Sequence, residues 1–170
     1  MARKPYLEFS VEDRHAGSYV YRHGLKSGWF TKPDKSGGCS ACRVTVGPIE
    51  SHREDYSKIE PEETVTLCCR CHRVLHMRDR YPEQWDFYRE KVREGYQWHW
   101  EKNIAPIANE MRSKSTSRAK LINKPRDRTV LDDINDGVLL TGTPEERRKR
   151  MDDLHELAKR LKSGGQSSLF

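Results

Sequence analysis

The chain has 170 residues, of which 34% are apolar and 34% charged, so its apolar core must be small and something besides burial should hold the fold. Its net charge is +6, and the sign is uneven: residues 1–129 hold 25 basic and 18 acidic side chains, residues 130–170 hold 7 and 8. No apolar run approaches the roughly 18 residues of a membrane helix, and the start has no apolar signal-peptide core. A cytoplasmic protein with a polyanionic partner, most simply nucleic acid, is the expectation.

Residues 1–38 read as a polar and aromatic extension, with short strands or a flap over 1–30 and a turn-rich TKPDKSGG at 31–38. Residues 43–46 (RVTV) and 64–67 (TVTL) are strand-like by alternation and β-branching. YPEQWDFYREKVREG (81–95) reads as a helix, with Trp85, Tyr88 and Val92 at i, i+3 and i+7 and Gly95 at its stop. Trp98 and Trp100 follow; packing against that helix is the first reading and stacking on bases the second. Residues 39–111 thus form one Cys/His domain with its following helix.

Residues 112–128 hold seven basic residues and one acid without clear periodicity, and read as a basic linker. In the 129–163 segment, Thr143, Pro144 and Glu146 form a capping box. Met151, Leu154, Ala158 and Leu161 then make one apolar stripe, with Leu157 beside it, to dock on the body or on another chain. Gly164 and Gly165 begin a flexible tail (164–170). The expected fold class is α+β, with a C-terminal helix.

Five cysteines and a basic body focus attention on residues 39–76. Cys39-x2-Cys42 and Cys68-x2-Cys71 are two knuckles, 25 residues apart, whose four thiolates suit one structural Zn²⁺. Cys69 is the spare. His72 and His76 lie one turn apart on the helix expected after Cys71, and His52 lies between the knuckles. Three histidines so placed can converge on a second divalent ion; the alternative is that they pack and hydrogen-bond around the knuckle.

The run CSAC…ESHREDYSK…TLCCRCHRVLH resembles the HNH (His-Me finger) group of zinc-containing endonucleases, especially small phage-type versions, over about residues 39–76. The resemblance implies a treble-clef or ββα-metal unit with flanking helices, hydrolysis of DNA phosphodiesters, and Mg²⁺, Mn²⁺ or Zn²⁺ at the scissile phosphate. It implies catalytic roles for His52, His72 and His76. The family often has His-His in the hairpin, one a ligand and the next a base, where this chain has His52-Arg53. In one register His52 is the ligand and Arg53 stands at the base position, where a permanently protonated guanidinium takes no proton. In the other, His52 is the base, Ser51 stands at the ligand position, and Asp55 or Glu54 completes the ligand set. Glu54-Asp55-Tyr56 fits the first register.

Arg53, Arg70 and Arg73, with Lys114, Arg118 and Lys120 in the basic segment, are the expected phosphate contacts. The tail QSSLF resembles the bacterial sliding-clamp binding motif, with Gln166, Leu169 and Phe170 as the contact residues. Together these features imply a DNA-acting protein of a bacterial host cell, of phage type, linked to replication. A non-catalytic DNA-binding or replisome adaptor on the same fold is the alternative.

Overall fold

The computed structural model describes residues 8–60, 64–98 and 119–164. The fold is α+β: helices with two small antiparallel sheets. None of the described helices is long and apolar enough to cross a membrane. The chain divides into two compact units. One comprises Met1–Pro33, Arg53–Thr64 and Gly137–Phe170; the other comprises Asp34–His52 and Val65–Asp136.

The first unit is built on two helices. Where strands or a flap are expected over 1–30, the described residues from 8 onward hold a helix instead: α1 spans Val11–Ser27. Ser10 and Asp13 make a reciprocal capping box at its start, and Gly28 ends it at φ 76°. The buried face of α1 is Ala16, Gly17, Val20 and Gly24 with Asp13. Small residues let neighbours come close. A Cβ on Gly17 would lie 2.5 Å from the Tyr56 carbonyl oxygen, and one on Gly24 would lie 2.3 Å from the Phe30 ring.

The C-terminal helix spans Pro144–Lys162 with the expected Thr143/Glu146 capping box. Its stripe docks within its own unit: Met151, Leu154 and Ala158 join Phe9, Ala16 and Val20 in one core, with Leu157 and Leu161 packed beside it. Several polar groups at this core are paired. Asp13 accepts from His155 at 2.8 Å and from Arg148 at 3.2 Å. Arg147 donates to Glu8 at 2.9 and 3.0 Å. Asp55 takes Ser57 N–H at 3.0 Å, Thr141 N–H at 3.2 Å and Arg150 at 3.4 Å.

In the second unit, β1 (Ile49–His52) pairs antiparallel with β2 (Val65–Cys68), from Ile49 opposite Cys68 to His52 opposite Val65. The helix α2 (Cys69–His76) starts directly from β2. RVTV at 43–46 is not a strand. Arg43 adopts φ 60°, and the Val44 carbonyl accepts from Cys39 N–H at 2.9 Å, so this run closes the first knuckle. The strand begins at Ile49 instead.

The helix α3 (Pro82–Arg93) buries Trp85, Tyr88 and Val92 as the periodicity predicts. Gly95 follows at φ 101°, where a Cβ would lie 2.0 Å from the Asn123 carbonyl oxygen. β3 (Tyr96–Trp98) pairs with β4 (Ala119–Leu121). The described part of the 112–128 segment is therefore not a tether, because strand pairing and side-chain bonds to the first knuckle hold it. Residues 112–118 lie outside the described residues, as does Trp100. A short α4 (Val130–Asn135) is capped by Thr129 and Asp132. Asp132 also accepts from Arg89 at 2.8 Å and Arg93 at 3.1 Å, and Trp85 donates to Asn135 at 2.9 Å. The helix Pro144–Lys162 is α5.

Candidate metal centre

The four knuckle thiols are brought together. Cys39, Cys42, Cys68 and Cys71 are all buried, and their sulfurs lie within 4.8 Å of one another. Cys42 Sγ and Cys68 Sγ are 3.7 Å apart. That is far beyond a disulfide bond, and all five cysteines are free of disulfides. A tetrahedron with metal–sulfur bonds of about 2.3 Å has an edge of about 3.8 Å, so the spacing fits a structural metal site.

Local structure explains why the sulfurs converge. Cys68 caps α2, and its Sγ accepts from Cys71 N–H at 3.4 Å. Ser40 N–H donates to Thr66 O at 2.8 Å, tying the first knuckle to β2. Gln97 and Asn123 each donate to the Cys42 carbonyl at 3.0 Å, and Arg126 donates to the Ala41 carbonyl. Tyr88 contributes from α3. Burial pushes its hydroxyl well up in pKa, so the O–H stays protonated, and it lies within hydrogen-bond distance of Cys71 Sγ at 3.3 Å. Hydrogen bonds from Cys42, then from Cys68 and Cys71, hold Cys39 toward the thiolate, while those same contacts push Cys42 and Cys71 up. A cation among them would displace the remaining protons. Cys69 is buried at the start of α2, outside this cluster, and its N–H donates to Pro48 O at 3.2 Å.

The three histidines also converge. Each of His52, His72 and His76 offers a ring nitrogen within 4.8 Å of the others. His52 is 1% exposed, while His76 is exposed. The His52 ring centroid is 5.1 Å from that of His72 and 5.4 Å from that of His76. His72 Nε2 and His76 Nε2 are 2.9 Å apart. Two ring nitrogens bound at about 2.1 Å and at right angles would be about 3 Å apart, so this pair fits one divalent ion.

Sequence reading missed Glu50, whose carboxylate meets His72 Nδ1. A carboxylate there accepts the Nδ1 proton and leaves the Nε2 lone pair facing His76, the arrangement that orients metal-binding imidazoles. The signal was present: Glu50 is two residues before His52, so both lie on one face of β1. Asp55 and Glu54, weighed as ligands, are not in the cluster. Asp55 belongs to the network of Ser57, Thr141 and Arg150, and Glu54 is 1% exposed.

Arg53 is 7% exposed. Its guanidinium lies 4.5 Å from the Tyr21 ring and 5.8 Å from the Tyr56 ring, and donates to Lys58 O at 2.8 Å. Burial draws its pKa below the ordinary guanidinium value, and the two tyrosines oppose that shift. A side chain enclosed in this way holds the fold and offers no open face to a phosphate. On α2, Arg73 is exposed and Arg70 half-buried, and Lys120 is exposed on β4. Lys114, Arg118, Gln166, Leu169 and Phe170 lie outside the described residues.

Comparison with protein-family models, curated proteins and solved structures finds no match.

Proposed function

We propose that this chain is a zinc-stabilised, HNH-like protein that acts on DNA through a divalent ion held by His52, His72 and His76. The observation that carries this reading is the convergence of those three imidazoles, from one strand and one helix, in the unit that also holds the four-thiol cluster. The order knuckle, hairpin, knuckle, helix is that of a treble-clef or ββα-metal unit. Zn²⁺ is the ion that four buried thiolates in a tetrahedron suit best. The histidine site differs: its His76 rim is exposed, and an open position is what separates a catalytic from a structural metal site.

His52 and the α2 pair act as ligands in this reading, and Glu50 fixes the tautomer of His72. Bound Mg²⁺, Mn²⁺ or Zn²⁺ would supply charge neutralisation at a phosphate. Arg73 extends from the helix that carries His72 and His76, where it can reach a neighbouring phosphate. The tail Gln166–Phe170 would connect the protein to a bacterial sliding clamp.

One observation favours a second reading. Arg53, directly after His52, is buried and protonated, so the position that carries the general base in the resembled family has no base. A non-catalytic DNA-binding adaptor would keep the metal platform and the tail without cleaving. The two readings separate on supercoiled DNA incubated with Mg²⁺, Mn²⁺ or Ni²⁺ and either wild type or His52→Ala. Nicking by wild type that is lost in the variant supports the nuclease. Binding without nicking in both supports the adaptor. Neither binding nor nicking by wild type overturns both.

A further inference from the structure

The exposed face of α1 and the indole at its end have no role in the metal centre. From residue 14 to residue 33 the chain carries no acidic side chain, while Arg22, Lys26 and Lys32 are all exposed. Arg22 and Lys26 are one helical turn apart and share a face. Three cations of α5 are different: Arg147, Arg148 and Arg150 are tied to Glu8, Asp13 and Asp55. Among the described residues, no carboxylate pairs with Arg22, Lys26 or Lys32.

Trp29 stands just past the helix end and is 40% exposed. It is held in place. Its backbone N–H donates to Gly24 O at 2.9 Å, and its ring lies 5.0 Å from that of His23, whose Nδ1 is 3.3 Å from Ser27 Oγ. A partly open indole packed on His23, next in the chain to cations that meet no carboxylate, combines two chemistries; Arg22 Nε donates only to Ser18 O, at 3.2 Å. The cations suit phosphates, and the ring suits a base whose face is free. A duplex hides its base faces, so the ring can be used fully only by an unpaired strand. Arg22 and Lys26 are about 6 Å apart along the helix axis at the helical rise, and Lys32 follows in the non-helical chain past Trp29.

We infer that the α1–Trp29 surface binds single-stranded DNA, with Arg22, Lys26 and Lys32 along the phosphates and Trp29 stacked on a base. This rests on the reading of the chain as a DNA-acting protein and adds the form of DNA that it engages. It also places a contact in the α1–α5 unit, whereas the histidines belong to the other.

The test is fluorescence anisotropy with labelled oligo-dT and with a duplex of equal length, across a salt series. Wild type is compared with Trp29→Ala and with Arg22→Gln/Lys26→Gln, each first checked for unchanged circular dichroism and zinc content. Trp29→Ala should weaken oligo-dT binding about tenfold and leave duplex binding unchanged. The double variant should reduce the slope of log K against log salt by about 1.4. Equal oligo-dT affinity in all three proteins overturns the inference while leaving the DNA reading intact. So does an equal loss on duplex in Trp29→Ala, or displacement of oligo-dT by polyglutamate as readily as by unlabelled oligo-dT. If wild type binds neither DNA, the DNA reading itself fails.

Discussion

The α1–α5 unit keeps Phe9, Val20, Met151 and Leu154 out of water and pairs Arg147 with Glu8 and His155 with Asp13. The four-thiol unit also buries Leu67, Leu75, Trp85 and Val92, but its knuckles meet around four sulfurs that repel one another when ionised. One unit has a core that closes without a cation, whereas the other has a polar centre that needs one. The difference lies in what stands at the centre: apolar side chains alone close the first unit, whereas the second buries its apolar residues around a cluster of thiols that a metal must close.

The largest expected effect follows from removing that metal. A structural zinc of this kind contributes on the order of 10 kcal/mol. A strong chelator should therefore unfold the thiol unit while α1 and α5 keep slow hydrogen exchange. Exchange read by mass spectrometry, peptide by peptide, checks this; uniform loss of protection, or none, would break the contrast. Cys71→Ser should act like the chelator.

Met151→Ala should reverse the pattern. Met151 is 0% exposed in the α1–α5 core, and truncation there costs about 2–5 kcal/mol. Thermal unfolding should show the loss, with zinc content unchanged. A drop in zinc content would mean that the two units are not independently held.

A smaller effect separates the units by pH. Burial of Asp13 opposes its ionisation, but bonds from His155, Ser10 and Arg148 outweigh that and lower its pKa from 3.8 to about 2. Because the folded value is the lower one, Asp13 stabilises fully above about pH 4 and loses its contribution as pH falls towards 2. The contribution is about 2 kcal/mol. Acid denaturation followed at α1 should therefore move less in Asp13→Asn than in wild type below pH about 4. The thiol unit should fail earlier in the same titration, since protons compete with metal for thiolates.

Much of this was legible in the residues, and what was not has physical causes. Knuckle spacing, the i, i+4 histidines, the Trp85–Val92 helix and the Thr143 capping box are local signals, and local geometry carries them into the structure. α1 was hidden because its buried face uses Gly17 and Gly24, which count against a helix by propensity but admit Tyr56 and Phe30. RVTV has the composition of a strand, but Arg43 at φ 60° turns it back on the knuckle. The order in residues 119–128 comes from Asn123 and Arg126 reaching carbonyls of Cys42 and Ala41, a long-range pairing that no window along the chain contains. Glu50 stands two residues before His52, but a strand expected at 43–46 leaves that pair outside it, whereas β1 runs from Ile49 to His52.

The proposed function requires two metal centres of different kinds in one unit. It is tested most directly by cobalt titration of metal-free protein, followed by absorption in wild type and in His72→Ala. The expected result is an intense thiolate-to-cobalt band that saturates in both proteins, with a weaker second phase of histidine-bound cobalt in wild type alone. A single phase in wild type, or loss of the thiolate band in His72→Ala, would contradict the account.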